Sequence, residues 1–68
     1  MGFKVIIVIE CDEPNEICQH LDKIRKDIQA DIKRHPDKYD DLTVYNDPIK
    51  FEDNNCYGTH ECRISIED

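Results

Sequence analysis

The chain has no tryptophan, one methionine, three prolines and only two glycines in 68 residues. Two glycines leave nothing from which to build a Gly-rich phosphate-cradling loop, and no calcium-loop pattern occurs. Long apolar runs are missing as well. The longest is Val5 to Ile9, whereas a spanning helix needs about 20 residues and a signal peptide roughly 7 to 15 before a small-residue cleavage site. Ile6 stands where N-myristoylation wants Ser or Thr. These absences lead to the expectation of a cytoplasmic protein. Positive charge is also scarce, with 9 Lys+Arg against 16 Asp+Glu and a net charge of −7. Direct nucleic-acid binding through phosphates and docking on anionic membranes both need basic clusters, so both are excluded. No repeat or linker divides residues 1–68, which read as a single small domain. A domain of this size buries only about 60% of its unfolded surface.

What is present is regular. Phe3 to Cys11 is rich in β-branched residues and apolar on both faces, the pattern of a central strand. Asp12 is a candidate helix cap, followed by Pro14 in the first turn. Ile17, Leu21, Ile24, Ile28 and Ile32 then recur at steps of 4, 3, 4 and 4, which predicts an amphipathic helix of about six turns. Lys33, Arg34 and His35 suit its C-terminal end, and Pro36 stops it. Pro36 to Asp41 reads as a polar loop. Leu42 to Asn46 and Ile49 to Glu52 read as short strands, with Asp47-Pro48 as a turn between them. Asp53 to Asn55 reads as a further turn. His60 to Glu67 alternates, with Cys62, Ile64 and Ile66 inward and Glu61, Arg63, Ser65 and Glu67 outward. The expected fold is α+β in the order β-α-β-β-β, one long helix on one face of a three- or four-stranded sheet. A single helix covers one face only. Ile6 and Val8 on the other then call for cover from Tyr45, from Tyr57 or from a second copy, and a homodimer is expected.

The charge is lopsided. Residues 1–35 hold seven acids and six bases, a net of −1, whereas residues 36–68 hold nine acids and three bases, a net of −6. Asp37, Asp40, Asp41, Asp47, Glu52, Asp53, Glu61 and Glu67 are therefore the candidate partner-binding residues. Outward acids on strands stand roughly 6–7 Å apart along one face, and an extended anionic strip competes with the DNA phosphate surface for a basic partner. The plainer alternative is a solvated, solubilising face.

Four cysteines without a secretion signal read as reduced thiols. Cys11, Cys18, Cys56 and Cys62 with His20 and His60 offer zinc-ligand chemistry, but only Cys56-x₃-His60 has a familiar spacing. Cys18 and His20 lie about 200° apart around a helix and cannot easily face one ion. Cys62 alternates with inward residues and reads as a small buried hydrophobe. No metal and no cofactor are therefore expected. Asp40-Asp41 and Glu52-Asp53 are adjacent carboxylate pairs, but a nuclease-like metal site also needs bases to hold a polyanion. His20 is expected on the helix surface. The chain is read as having no enzymatic activity.

In size, acidity and lack of a catalytic motif, the chain resembles the small phage-encoded host-takeover proteins, some of which are DNA mimics. The resemblance lies in overall character and carries no residue over. It implies an inhibitor of a basic, DNA-binding protein. The alternative is a zinc-stabilised or purely structural module within a larger assembly.

Overall fold

The computed structural model describes residues 2–67. Its order is β1 (Gly2–Glu10), α1 (Pro14–Arg34), α2 (Pro36–Asp40), β2 (Ile49–Asn55) and β3 (Gly58–Glu67). The three strands form one antiparallel sheet in the spatial order β1-β3-β2. The architecture is thus α+β with a long helix, and three strands are present among the described residues. Two layers account for a shortest dimension of 16 Å.

The long helix ends where the sequence placed its stop. His35 N–H closes on the Asp31 carbonyl at 2.8 Å, and Pro36 opens the next element. Its start differs from expectation. Glu13, not Asp12, is the N-cap, and the Glu16 carboxylate reaches back to accept the Glu13 N–H at 2.9 Å. This return bond satisfies a backbone donor beside the helix and puts an anion in the first turn, both favourable.

Residues 36–41, expected to be a loop, contain the short helix α2. Pro36 fits its first position, and Asp31 of α1 ties it down. The Tyr39 hydroxyl donates to Asp31 Oδ2 at 2.7 Å, and Lys38 Nζ lies 2.8 Å from the same oxygen. The Lys38 ammonium, with the Tyr39 hydroxyl, holds the Asp31 carboxyl below its ordinary range. Burial, then the neighbouring Asp31, pushes the Tyr39 hydroxyl well up.

Two further strand expectations are corrected. Leu42 to Asn46 is not a strand but a turn-rich connection. Its groups bond locally: Asn46 N–H to the Thr43 carbonyl at 3.2 Å, Tyr45 N–H to Thr43 Oγ1 at 3.3 Å, and the Asn46 amide to the Asp41 carbonyl at 3.1 Å. Short side-chain bonds of this kind offer the backbone an alternative to a ladder. The β2–β3 turn is Cys56-Tyr57, not Asp53 to Asn55, which continue β2. Gly58 follows the turn at φ +119°, and a Cβ there would meet the Glu10 carbonyl oxygen at 2.2 Å. Only glycine suits that position.

Register sorts the side chains. Phe3, Val5, Ile7 and Ile9 of β1 lie opposite Ile66, Ile64, Cys62 and His60 of β3. Ile49, Phe51 and Asp53 of β2 lie opposite Ile64, Cys62 and His60. This is the face α1 lies on. Ile24, Leu42, Ile49, Cys62 and Ile64 form the core, flanked by Ile9, Ile28, Tyr39, Phe51 and Ile66. The other face carries Lys4, Ile6, Val8 and Glu10, with Glu61, Arg63, Lys50 and Glu52, and no element among the described residues covers it.

The position of β1 is the largest departure from expectation. A strand apolar on both faces was expected at the centre, yet β1 is an edge strand and β3 is central. The α1 helix sits over β3 and leaves β1 uncovered even on the helix side, where Phe3, Val5 and Ile7 are 58%, 50% and 40% exposed.

Candidate protein-binding surfaces

The eight candidate acids do not form one strip. Glu52, Glu61 and Glu67 lie on the open sheet face, each beside a base: Lys50 with Glu52 and Glu61, Arg63 with Glu61, and Lys4 with Glu67 at 3.8 Å. The Arg63 guanidinium, helped by Lys50, holds the Glu61 carboxyl below its ordinary range. This face is a mosaic of both signs. Asp53 is on the helix side, where its carboxylate accepts the Asn54 backbone N–H at 2.9 Å and the Asn55 amide at 3.2 Å.

Asp37, Asp40, Asp41 and Asp47 are different. All four are exposed, they lie within 36–48, and none has an ion-pair partner among the described residues. The single base of that segment, Lys38, is engaged by Asp31. The same segment displays Tyr45 at 95% exposure, with Val44 beside it half-exposed. Tyr45 is therefore far from the sheet-covering role expected of it. Tyrosine is among the residue types enriched at the energetic centres of protein interfaces. Leu42, in the same segment, is buried and roots it in the core. Phe3, paired with Ile66, stacks edge-on against Tyr39 at 6.5 Å, so α2 borders the end of the sheet where β3 finishes.

The histidines depart from expectation. His20 is not on the helix surface: it is 3% exposed and meets His60, 4% exposed, in the core. Their Nδ1 atoms are 2.8 Å apart, and His20 Nε2 is 3.0 Å from the Tyr57 carbonyl. A carbonyl only accepts, so His20 Nε2 carries a hydrogen. With both rings neutral, His20 Nδ1 is then the acceptor and His60 Nδ1–H the donor. His60 Nε2 is left as a buried lone pair with no partner. The bond pins helix to hairpin beneath Tyr57. The signals were present in the sequence: His20 is one turn before Ile24, and His60 shares parity with Cys62, Ile64 and Ile66.

All four cysteines are free thiols. Cys62 is fully buried beneath the helix, and that burial raises its thiol pKa. Cys18 and Cys56 are exposed. Cys11 donates weakly to the Glu13 carbonyl at 3.5 Å, and burial together with Glu16 and Asp12 raises its thiol pKa. Neither raised thiol is in the activated, electropositive setting of a nucleophile. Among the described residues, no three His, Cys, Asp or Glu side chains are grouped as metal ligands. No described helix is long and apolar enough to cross a membrane.

Compared with family models, with curated proteins and with solved structures, the chain matches none of them.

Proposed function

We propose that this chain is a non-enzymatic acidic binding protein that engages a basic protein surface through its 36–48 segment. The observation that carries the reading is the coincidence, in one segment, of four exposed acids without ion-pair partners among the described residues and a ring exposed at 95%. Unpaired acids give fast, salt-sensitive encounter, and a desolvated aromatic gives residence time. Asp37, Asp40, Asp41 and Asp47 carry the attraction, and Tyr45 is the anchor. Glu52, Glu61 and Glu67 contribute less, because Lys50, Arg63 and Lys4 already answer them.

The basic surfaces commonest in a cytoplasm belong to nucleic-acid-binding proteins. The concrete form of the proposal is therefore an inhibitor that occupies a DNA-binding surface, as the resemblance to phage-encoded takeover proteins implies. Capture from a bacterial lysate at low salt should recover a basic DNA-binding protein, and about 0.5 M NaCl should release it, because salt screens exposed charges. The recovered protein should then bind this chain and duplex DNA in competition. Simultaneous Asp→Lys changes at 37, 40, 41 and 47 should abolish the complex. Unchanged binding by that variant would refute the reading.

A separate observation, the uncovered β1 side, favours a second reading: a structural module that completes itself in an assembly.

A further inference from the structure

The two edges of the sheet are built differently. The β2 edge follows Pro48, is seven residues long, and carries Lys50, Glu52 and Asp53. Charges and a neighbouring proline are the devices by which proteins keep an edge from pairing. The β1 edge is nine residues long, and between Lys4 and Glu10 it carries only Val5, Ile6, Ile7, Val8 and Ile9. Its outer row of backbone N–H and C=O groups has no partner strand among the described residues.

The helix layer repeats the asymmetry. Ile28 and Ile32 line a cleft with Phe3 and Val5, and Ile17 lies with Ile9 in another that Glu10, Asp12, Glu16 and the turn at Cys56-Tyr57 complete. Ile17, Leu21, Ile28 and Ile32 form one flank of α1, turned toward β1, and Ile17, Leu21 and Ile32 are nearly half-exposed. The opposite flank, toward β2, presents Gln19 and Lys23 beside Asp53 and Asn55. Strand edge, strand face and helix flank are thus apolar together on one side of the molecule only.

From this geometry we infer that β1 pairs antiparallel with β1 of a second copy of this chain, giving a continuous six-stranded sheet with both helices on one face. The strand's own charges select the register. With Ile7 opposite Ile7 on the two-fold axis, Lys4 of each copy faces Glu10 of the other. Ile6 then faces Val8, and Val5 faces Ile9. Shifting the axis to Ile6 sets Lys4 against Val8, and shifting it to Val8 sets Ile6 against Glu10, so only the Ile7 register pairs both charges. Lys4 can exchange Glu67 for Glu10 of the other copy, since its side chain is half-exposed and its contact with Glu67 is long, at 3.8 Å.

Each helix sits over its own β3, and the two β3 strands of the dimer stand three strand spacings apart, about 14 Å. Two helices about 10–12 Å across with their side chains nearly fill that span. Phe3, Val5 and Ile7 of both copies form its floor, and Ile17, Leu21, Ile28 and Ile32 form its walls. The pairing is isologous and closes on itself. The edges left outside are both β2, which are guarded, so the assembly stops at two chains rather than growing into a fibre.

Sedimentation equilibrium of the full chain over micromolar to submillimolar concentration tests the inference. The expected mass is twice the 8.1 kDa of one chain. Lys4→Glu alone places like charges opposite at two points and should weaken the dimer about tenfold. Lys4→Glu with Glu10→Lys should restore it. Both are exposed positions, so the fold survives each change, and circular dichroism of the variants checks this. A chain that stays at 8.1 kDa throughout, or one seen to bind only a strand or helix of another protein, overturns the inference. So does a dimer indifferent to Lys4→Glu, or one that Ile6→Lys abolishes while the Lys4 and Glu10 variants leave it intact, which would assign the open face instead.

Discussion

The β2 side and the β1 side of this molecule use the same small core but treat solvent in opposite ways. On the β2 side, every element facing outward carries charge or amide groups: Lys50, Glu52, Asp53 and Asn55 on the strand, Gln19 and Lys23 on the helix. A buried histidine bond then pins that side from within. On the β1 side, strand and helix flank are both apolar and both exposed. The contrast shows how a short chain distributes a shortage. About ten apolar side chains are buried or partly buried in one copy, and the helix sits over β3 while most of β1 stays exposed. A domain this small has little margin for an uncovered strand unless association supplies the missing burial.

The comparison can be broken at its shared centre first. Ile24→Ala removes the 2%-exposed side chain beneath both halves and should cost about 2–5 kcal/mol in urea unfolding. Ile32→Ala, on the exposed flank, should cost well under half as much in a sample dilute enough to be monomeric. Next is the histidine pin. His60→Phe leaves His20 Nδ1 buried without a partner and should cost roughly 1–3 kcal/mol. Adding His20→Leu removes the second polar group, so the double variant should lose less than the two single losses combined.

A smaller effect is expected at α2. Asp31→Asn weakens its hold on Lys38 and Tyr39 and should cost about 1 kcal/mol at neutral pH, read from thermal melts. The folded Asp31 carboxyl titrates below its unfolded value. Its contribution is therefore present above the unfolded pKa and disappears as pH falls through the folded one. Wild type and Asp31→Asn should accordingly converge below about pH 4. The smallest effect belongs to the guarded edge. Glu52→Lys should change stability by no more than about 0.5 kcal/mol and leave the sedimentation mass unaltered.

The parts of this fold legible in the sequence are those whose pattern depends on one chain alone. Ile17 to Ile32 with Pro36 defined α1 almost to the residue, and the alternation of Cys62, Ile64 and Ile66 oriented β3 correctly. The α2 helix carried a signal in Pro36-Asp37, which the surrounding polarity obscured. The strand expected at Leu42 to Asn46 failed because Thr43 and Asn46 draw the backbone into turns. The misplacement of β1 has a different cause. Two-sided apolarity marks a strand without saying where in the sheet it pairs, so a central strand and an apolar edge strand are written alike. For the candidate surface, the excess of acid in the second half was legible as a total. Which acids are free of bases was not, because Lys4, Lys50 and Arg63 reach their partners only through the sheet's register and the turns of the chain.

The histidine pair also makes the protein a recorder of its own closure. The Tyr57 carbonyl sits in the hairpin turn, yet it dictates which nitrogen of a ring 37 residues away bears hydrogen, and through that ring the tautomer of a second. With both rings neutral, the two imidazoles hold opposite tautomers while helix and hairpin are docked. Undocked rings relax to the mixture that free histidine shows in water. Nitrogen chemical shifts of His20 and His60 would follow the opening of that seam directly, with no label added and no residue replaced.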